Sequence, residues 1–138
     1  MRIYVASKFE NTAEVWKVMD ALKAAGHTIT HDWTHESVGE RQGAELDLFL
    51  LDCAQKDMTG VETADALFVI NHEKGKGMWT EMGMAIAWSK PVFFCCPERA
   101  YNIFCRLPGV EEFKTIDEGL QAIVQYGKGF DAGVQHAL

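Results

Sequence analysis

Asp65-Ala66-Leu67-Phe68-Val69-Ile70 and Pro91-Val92-Phe93-Phe94-Cys95-Cys96 decide how this chain folds. A strand covered on one face alternates apolar and polar residues, whereas a strand buried on both faces of a parallel sheet reads as a continuous apolar run. Both stretches are of the second kind. Parallel neighbours need a long crossover, usually a helix, and helical patterns lie where those crossovers must run. The opening Arg2-Ile3-Tyr4-Val5-Ala6 supplies a third such run. Polar Ser7-Lys8 follows, then Asn11 with Glu14 three residues later, the spacing of a capping box. Val15, Val18, Met19, Leu22 and Ala25 next recur at three- and four-residue spacing, with Gly26 where a left-handed C-cap is expected.

Outward from these segments, residues 27 to 31 read as a short strand and Asp32 to Gln42 as a surface loop. A second helix is predicted from about Ala44 to Met58 and a short third helix near 80 to 89. A weaker strand is expected near Phe113 to Ile116 and a last helix near Asp117 to Tyr126, with residues 127 to 138, rich in glycine and alanine, expected to fray. The alternation predicts a single α/β domain over residues 1 to 138. It would be a flavodoxin-like, Rossmann-like parallel sheet of about five strands with helices on both faces. Ligands of such sheets bind beyond the carboxyl ends of the strands, here just after residues 6, 31, 70 and 96.

The chain of 138 residues carries 20 acidic against 13 basic side chains, a net charge of −7. That balance argues against a nucleic acid polymer or an anionic membrane as partner, since both require a basic surface. It leaves room for a small anionic ligand in a locally basic pocket. No stretch approaches the roughly 18 apolar residues of a membrane span and the opening run is short for a signal peptide, so a cytoplasmic location is expected. Cys53, Cys95, Cys96 and Cys105 lack CxxC spacing and read as buried thiols. The five histidines are scattered without a ligand pattern, so no metal is expected.

Two acidic residues stand out. On the second helix Leu46, Leu50 and Cys53 form an apolar stripe that Asp57 continues, which aims a carboxylate at the buried side, where it costs several kcal/mol unless paired. The competing reading is a helix that ends before Asp57, leaving it to cap the turn at Thr59-Gly60. Glu81 lies in Gly75-Lys76-Gly77-Met78-Trp79-Thr80-Glu81-Met82-Gly83, between the third strand and the next helix. Read as a first-turn residue it would be kept ionised by the helix dipole, as attack on an anomeric carbon requires. An ordinary acidic residue at a helix N-terminus fits the same position. Ser7, Lys8 and Phe9 follow the first strand and could hold a sugar hydroxyl or phosphate, or form a plain turn. Asp32-Trp33 follows the second strand, where Trp33 could stack on a base or pack the loop down. The glycines lack the GxGxxG and GxxxxGK[ST] patterns of dinucleotide and P-loop sites.

Taken together these positions resemble the nucleoside 2-deoxyribosyltransferase family. The likeness is carried by Ile3-Tyr4-Val5-Ala6, by Asp57-Met58-Thr59-Gly60-Val61 shortly before Ala64-Asp65, and by Glu81-Met82-Gly83-Met84-Ala85-Ile86-Ala87 leading into Lys90-Pro91-Val92. It spans most of the chain up to about residue 116. The resemblance implies that Glu81 is the nucleophile that takes the deoxyribosyl group and that Asp57 positions or protonates the substrate. Tyr4 lies in the matching Ile3–Ala6 segment, and Gly77 in a glycine-containing stretch that lets backbone approach a ligand closely; with Ser7, Lys8, Phe9, Asp32 and Trp33 they are the expected substrate-binding residues. Asn102-Ile103-Phe104 is similar to a family segment that reaches into the neighbouring subunit's pocket, which implies a homo-oligomer with shared active sites and substrate contacts from Asn102 and Phe104. Where many members carry another acidic residue before the nucleophile, this chain has Lys74 and Lys76, which would suit an anionic substrate.

The implied reaction is cleavage of the N-glycosidic bond of a 2′-deoxynucleoside with transfer of deoxyribose to a second base, without metal or organic cofactor. Related hydrolases of deoxynucleoside 5′-monophosphates hold phosphate with small polar residues after the first strand, and Ser7-Lys8 keeps that alternative open. Domains of the TIR type, which are similar in layout and also use a glutamate, keep hydrolysis of a dinucleotide such as NAD open. A non-catalytic nucleotide-binding module is the remaining alternative.

Overall fold

The computed structural model describes residues 1–134. Along the chain run β1 (Arg2–Ala6), α1 (Thr12–Ala24), β2 (Thr28–Ile29), α2 (Gly43–Thr63), β3 (Ala66–Ile70), α3 (Lys76–Ala87), β4 (Val92–Cys95), β5 (Val110–Phe113) and α4 (Ile116–Val134). The five strands form one sheet in the order β2-β1-β3-β4-β5, and every neighbouring pair is parallel. This is the flavodoxin-like order expected. The order reverses between β1 and β3, which opens a crevice at the carboxyl ends of those two strands.

The continuous apolar runs are divided between two cores by the alternation of side chains along each strand. Tyr4, Ala6, Leu67, Val69, Val92 and Phe94 face α2 and α3, where Val61, Met78, Met82 and Ala85 meet them. Ile3, Val5, Ala66, Phe68, Phe93 and Cys95 face the opposite way, against Val15, Val18, Met19 and Leu22 of α1 and Ile123 of α4. Gly26 ends α1 at φ +90. The amides of Gly26 and His27 donate to Lys23 and Leu22, the paired bonds of a Schellman cap.

Several boundaries differ from the sequence expectation. Asn11 precedes α1 but makes no side-chain capping bond; its amide donates to Ser7 Oγ at 3.1 Å instead. β2 shrinks to two residues, and part of the following loop winds into a 3-10 turn at Trp33–His35. β5 begins three residues earlier than predicted, at Val110. α3 begins at Lys76, so the glycine-containing stretch supplies its first turn rather than a loop. α4 does not fray after residue 127 but continues to Val134, held by Tyr126 against Phe93 and by Phe130 against Tyr126. Gly127 permits this, since a Cβ there would meet His27 Cε1 at 2.6 Å. The expected fraying of residues 135 to 138 lies outside the described residues. Among the cysteines, Cys95 and Cys105 are buried, whereas Cys53 and Cys96 are only half-buried. Among the described residues no helix is long and apolar enough to cross a membrane.

Candidate active site

Three elements on one face of the sheet bring Tyr4, Asp57 and Glu81 together. Tyr4 sits at the centre of β1 and its ring is fully buried beneath α2 and α3. Gly60 lets α2 come down onto it: a Cβ at that position would lie 2.8 Å from Tyr4 Cδ2 and 3.0 Å from His31 Cβ. Asp57 stands one turn earlier on the same helical face, so this close approach delivers its carboxyl to the Tyr4 hydroxyl. The helix runs on to Thr63, which removes the reading of Asp57 as a turn cap. The stripe it continues lines a cleft rather than a core, for only Gly60 and Val61 of α2 are buried.

Glu81 is the sixth residue of α3, beyond the first turn in which the helix dipole acts. Its side chain is 8% exposed. Burial pushes its carboxyl up to about 8, with Asp57 adding to the rise and the Tyr4 hydroxyl working against it. The dipole expectation is therefore reversed, because desolvation outweighs a dipole that has already decayed. Asp57 is also raised, by burial first, while Tyr4 and His31 pull it down and Glu36 pushes it up. Burial, then Glu81, then Asp57 raise the Tyr4 phenol far above its ordinary value, so it stays a neutral hydroxyl. Tyr4 Oη, Asp57 Oδ1 and Glu81 Oε2 are buried without an aligned hydrogen-bond partner. Such atoms cost about 1–3 kcal/mol each. Their clustering in one cleft makes it the candidate site.

A cleft of about 220 Å³ gathers Tyr4, Ser7, Phe9, Trp33, Asp57 and Glu81, six of the residues predicted from sequence. Ser7 closes its floor by donating to Ile70 O at 2.8 Å, which ties β1 to β3 at the switch point. Trp33 donates its indole N–H to Val5 O at 2.7 Å, continuing the edge of the sheet where β2 has ended; it packs the loop down and walls the cleft at once. Gly77 lies one helical turn before Glu81, and a Cβ there would stand 3.8 Å from Oε1. The remaining predicted residues lie elsewhere. Lys8 turns to Glu10 at 3.6 Å, and Asp32 caps its own 3-10 turn by accepting from Thr34 N at 3.0 Å. Asn102 accepts from Phe104 N at 2.9 Å, and both line a separate groove of about 320 Å³ along α3 with Trp79, Met82 and Ile86.

The chain has counterparts among known proteins. The sequence model of the nucleoside 2-deoxyribosyltransferase family matches residues 3–123. The chain belongs to that family. Its members are enzymes, and the match takes in β1, the Asp57-to-Gly60 segment and the Glu81 helix. The fold is similar to that of a 2-deoxyribosyltransferase from the psychrotolerant bacterium Bacillus psychrosaccharolyticus, with a TM-score of 0.68 and 21% identity over 86% of this chain and 89% of that one. It is also similar to the CMP N-glycosidase BcmB of Clostridium botulinum, with a TM-score of 0.64 and 16% identity over 91% of this chain and 99% of the other. No curated protein matches the chain.

Sequence reasoning missed Glu36, Val38, Phe49, Leu50 and Cys53 as walls of this cleft. Leu50 and Cys53 share the stripe of Asp57, so reading that stripe as a cleft wall would have found them; Glu36 sits in a loop with no pattern to betray it. His31, Glu36 and Asp57 present ligand atoms within 4.8 Å of one another. The His31 imidazole is hydrogen-bonded through Nε2 to Glu36, and Asp57 Oδ1 stands 3.7 Å from the same nitrogen. Of these two contacts only the one with Glu36 is a hydrogen bond, and Asp57 Oδ1 has no hydrogen-bond partner. Burial, with Glu36 next, pushes the Cys53 thiol up to about 11, so it enters the cleft wall as a neutral thiol.

Proposed function

We propose that this protein cleaves the N-glycosidic bond of a 2′-deoxynucleoside and passes the deoxyribosyl group to a second base through a covalent bond to Glu81. The observation that carries this reading is the meeting of two carboxyl groups, Glu81 and Asp57, around the Tyr4 hydroxyl in a cleft at the sheet's switch point. In a retaining displacement one carboxylate attacks C1′ while a second carboxyl protonates the leaving group. Glu81 takes the first role and Asp57 the second. With Glu81 raised to about 8, its proton must leave before attack, and the Tyr4 hydroxyl is the group placed to pass it toward Asp57. The growing positive charge on the sugar then favours the ionised glutamate. The acceptor base reverses the steps and leaves with the sugar.

Mass spectrometry of the protein mixed with 2′-deoxyadenosine tests the reading. A deoxyribosyl adduct on a peptide containing Glu81 is expected, and its absence under turnover would overturn the covalent step. The likeness to a CMP N-glycosidase and exposed Lys74 and Lys76 favour a second reading, in which water replaces the acceptor and the substrate is a nucleoside 5′-monophosphate. Free sugar phosphate formed without an acceptor base distinguishes it. Ligand-induced stabilisation with no product from any of these substrates would instead mark a binding module.

The active form we infer is a homo-oligomer that shares its sites. Leu48 and Ile103 are 68% and 79% exposed and Tyr101 is fully so, and the cleft of about 220 Å³ is smaller than the roughly 300 Å³ at which small-molecule pockets begin. A second copy laid over α2 and the Asn102–Phe104 segment would cover these side chains and complete the wall. Mixing inactive Glu81→Gln and Asn102→Ala proteins should restore activity if Asn102 serves a neighbour's cleft, and no restoration would sink the shared site.

A further inference from the structure

Glu36 lines the cleft together with Tyr4, Asp57 and Glu81, and the reaction as described leaves it without a task. Its side chain is only 19% exposed, so a contact made there is largely sheltered from water. His31, which lines a separate solvent-open recess, is hydrogen-bonded to Glu36 Oε1. That leaves Oε2 as the acceptor for a molecule in the cleft. The Cys53 thiol also stands against Glu36, but a thiol is a weak donor and yields to an N–H. Carboxyl oxygens of Glu36 and Asp57 lie within 4.8 Å of one another. Glu36 adds to the rise of Asp57, whereas the groups acting on Glu81 are Tyr4 and Asp57. The three carboxyl groups therefore run along the cleft in the order Glu81, Asp57, Glu36. No lysine or arginine lines the cleft with them, while Phe9, Trp33 and Phe49 supply aromatic faces on which a flat base can stack.

We propose that Glu36 selects the leaving base, favouring one with an exocyclic amino group, cytosine or adenine, over its oxo counterpart, uracil or hypoxanthine. The inference rests on the reading of Glu81 as the nucleophile. In a displacement at C1′ the attacking and leaving groups occupy opposite faces of the carbon. With Glu81 on one face, the base lies on the other, toward Asp57 and Glu36. An amino N–H brought to Oε2 donates a charge-assisted hydrogen bond to it. An oxo group in the same place meets the carboxylate with lone pairs, and no lysine or arginine of the cleft offsets the repulsion.

The test compares 2′-deoxycytidine with 2′-deoxyuridine and 2′-deoxyadenosine with 2′-deoxyinosine, as nucleosides or as 5′-monophosphates according to which form the wild type turns over. In a ping-pong reaction kcat/KM for the donor reports the half-reaction in which its base leaves, so each amino-to-oxo ratio is independent of the acceptor. Comparing variant with wild type also cancels the intrinsic leaving ability of each base. Glu36→Gln keeps an oxygen for His31 and offers the cleft an N–H donor. It should lower both ratios about 10- to 100-fold, in part by raising kcat/KM for the oxo member. Glu36→Ala removes the acceptor without supplying a donor and should lower the ratios without that gain. A merely structural role would lower both members of a pair alike. For either variant that folds, as judged by its melting curve, a ratio within about twofold of wild type in either pair would overturn the proposal. A wild-type protein that turns over none of these substrates in either form fails the reading of the reaction itself, and selection by Glu36 with it.

Discussion

The two faces of the sheet are made from the same strands and differ in what they leave unpaired. Beneath α1 and α4, Val15, Val18, Leu22 and Ile123 are wholly buried in an apolar cluster with Ile3, Val5 and Phe68. Beneath α2 and α3 the strands present Tyr4 to two carboxyl groups, and its hydroxyl, Asp57 Oδ1 and Glu81 Oε2 have no aligned partners. A buried polar atom without a partner works against folding. The first face therefore supplies stability that the second consumes in holding these polar groups out of water.

That contrast breaks most sharply at Glu81. If Glu81 is the nucleophile proposed above, Glu81→Gln should lower turnover about 1000-fold or more while the protein stays folded, since such a loss is not compensated by its neighbours; steady-state kinetics beside a melting curve would check it. The opposite face should answer in the opposite way. Leu22→Ala, at a site with 0% exposure, should cost about 2–5 kcal/mol of stability in denaturant titration, with the kcat of the folded fraction unchanged within about twofold. Gly60→Ala joins the two effects. Its new Cβ meets Tyr4 at 2.8 Å, so overpacking of about 1–3 kcal/mol should come with a loss of activity, and a variant that loses stability alone would show that α2 does not set the Tyr4–Asp57 geometry.

The smallest expected effect is a pH dependence of stability. Glu81 is raised from 4.5 to about 8 in the folded protein. Between those values the folded state binds more protons than the unfolded state, so stability should fall as pH rises through this window and level off above about 8. Asp57, also raised by burial, adds in the same direction. Glu81→Gln removes the larger contribution. Its Tm should therefore gain on wild type as pH increases from 5 to 8, by about 3 °C or more, and a constant difference in Tm across that range would contradict the raised carboxyl.

Legibility followed the strength of local pattern. β1, β3 and β4 were readable because burial on both faces writes an unbroken apolar run. β5 was placed late because this outer strand carries Glu111 and Glu112, which interrupt the run. α3 starts earlier than its pattern suggests because Gly75 and Gly77 read as loop, although Met78 is fully buried in the first turn and anchors it. α4 runs further than its pattern suggests because Gly127 and Gly129 weaken helix propensity, a deficit made good by Tyr126 packing edge-on to Phe93. In the site, Asp57 and Glu81 were singled out by position, while Glu36 and His31 came into view only once the β2–α2 loop was folded against α2.

What the sequence alone determined is the class of sheet and its strand order, because the need to bury apolar surface leaves a periodic trace along the chain; it also drew attention to two acidic residues, Asp57 and Glu81, by their positions. What the tertiary structure decided is their electrostatics. Glu81 looked like an ionised residue at a helix start and is instead a buried acid raised to about 8, with Asp57 and Tyr4 facing it from other elements. Desolvation and Coulomb coupling depend on distance through space, and residues 4, 57 and 81 become neighbours only when α2 and α3 close over β1.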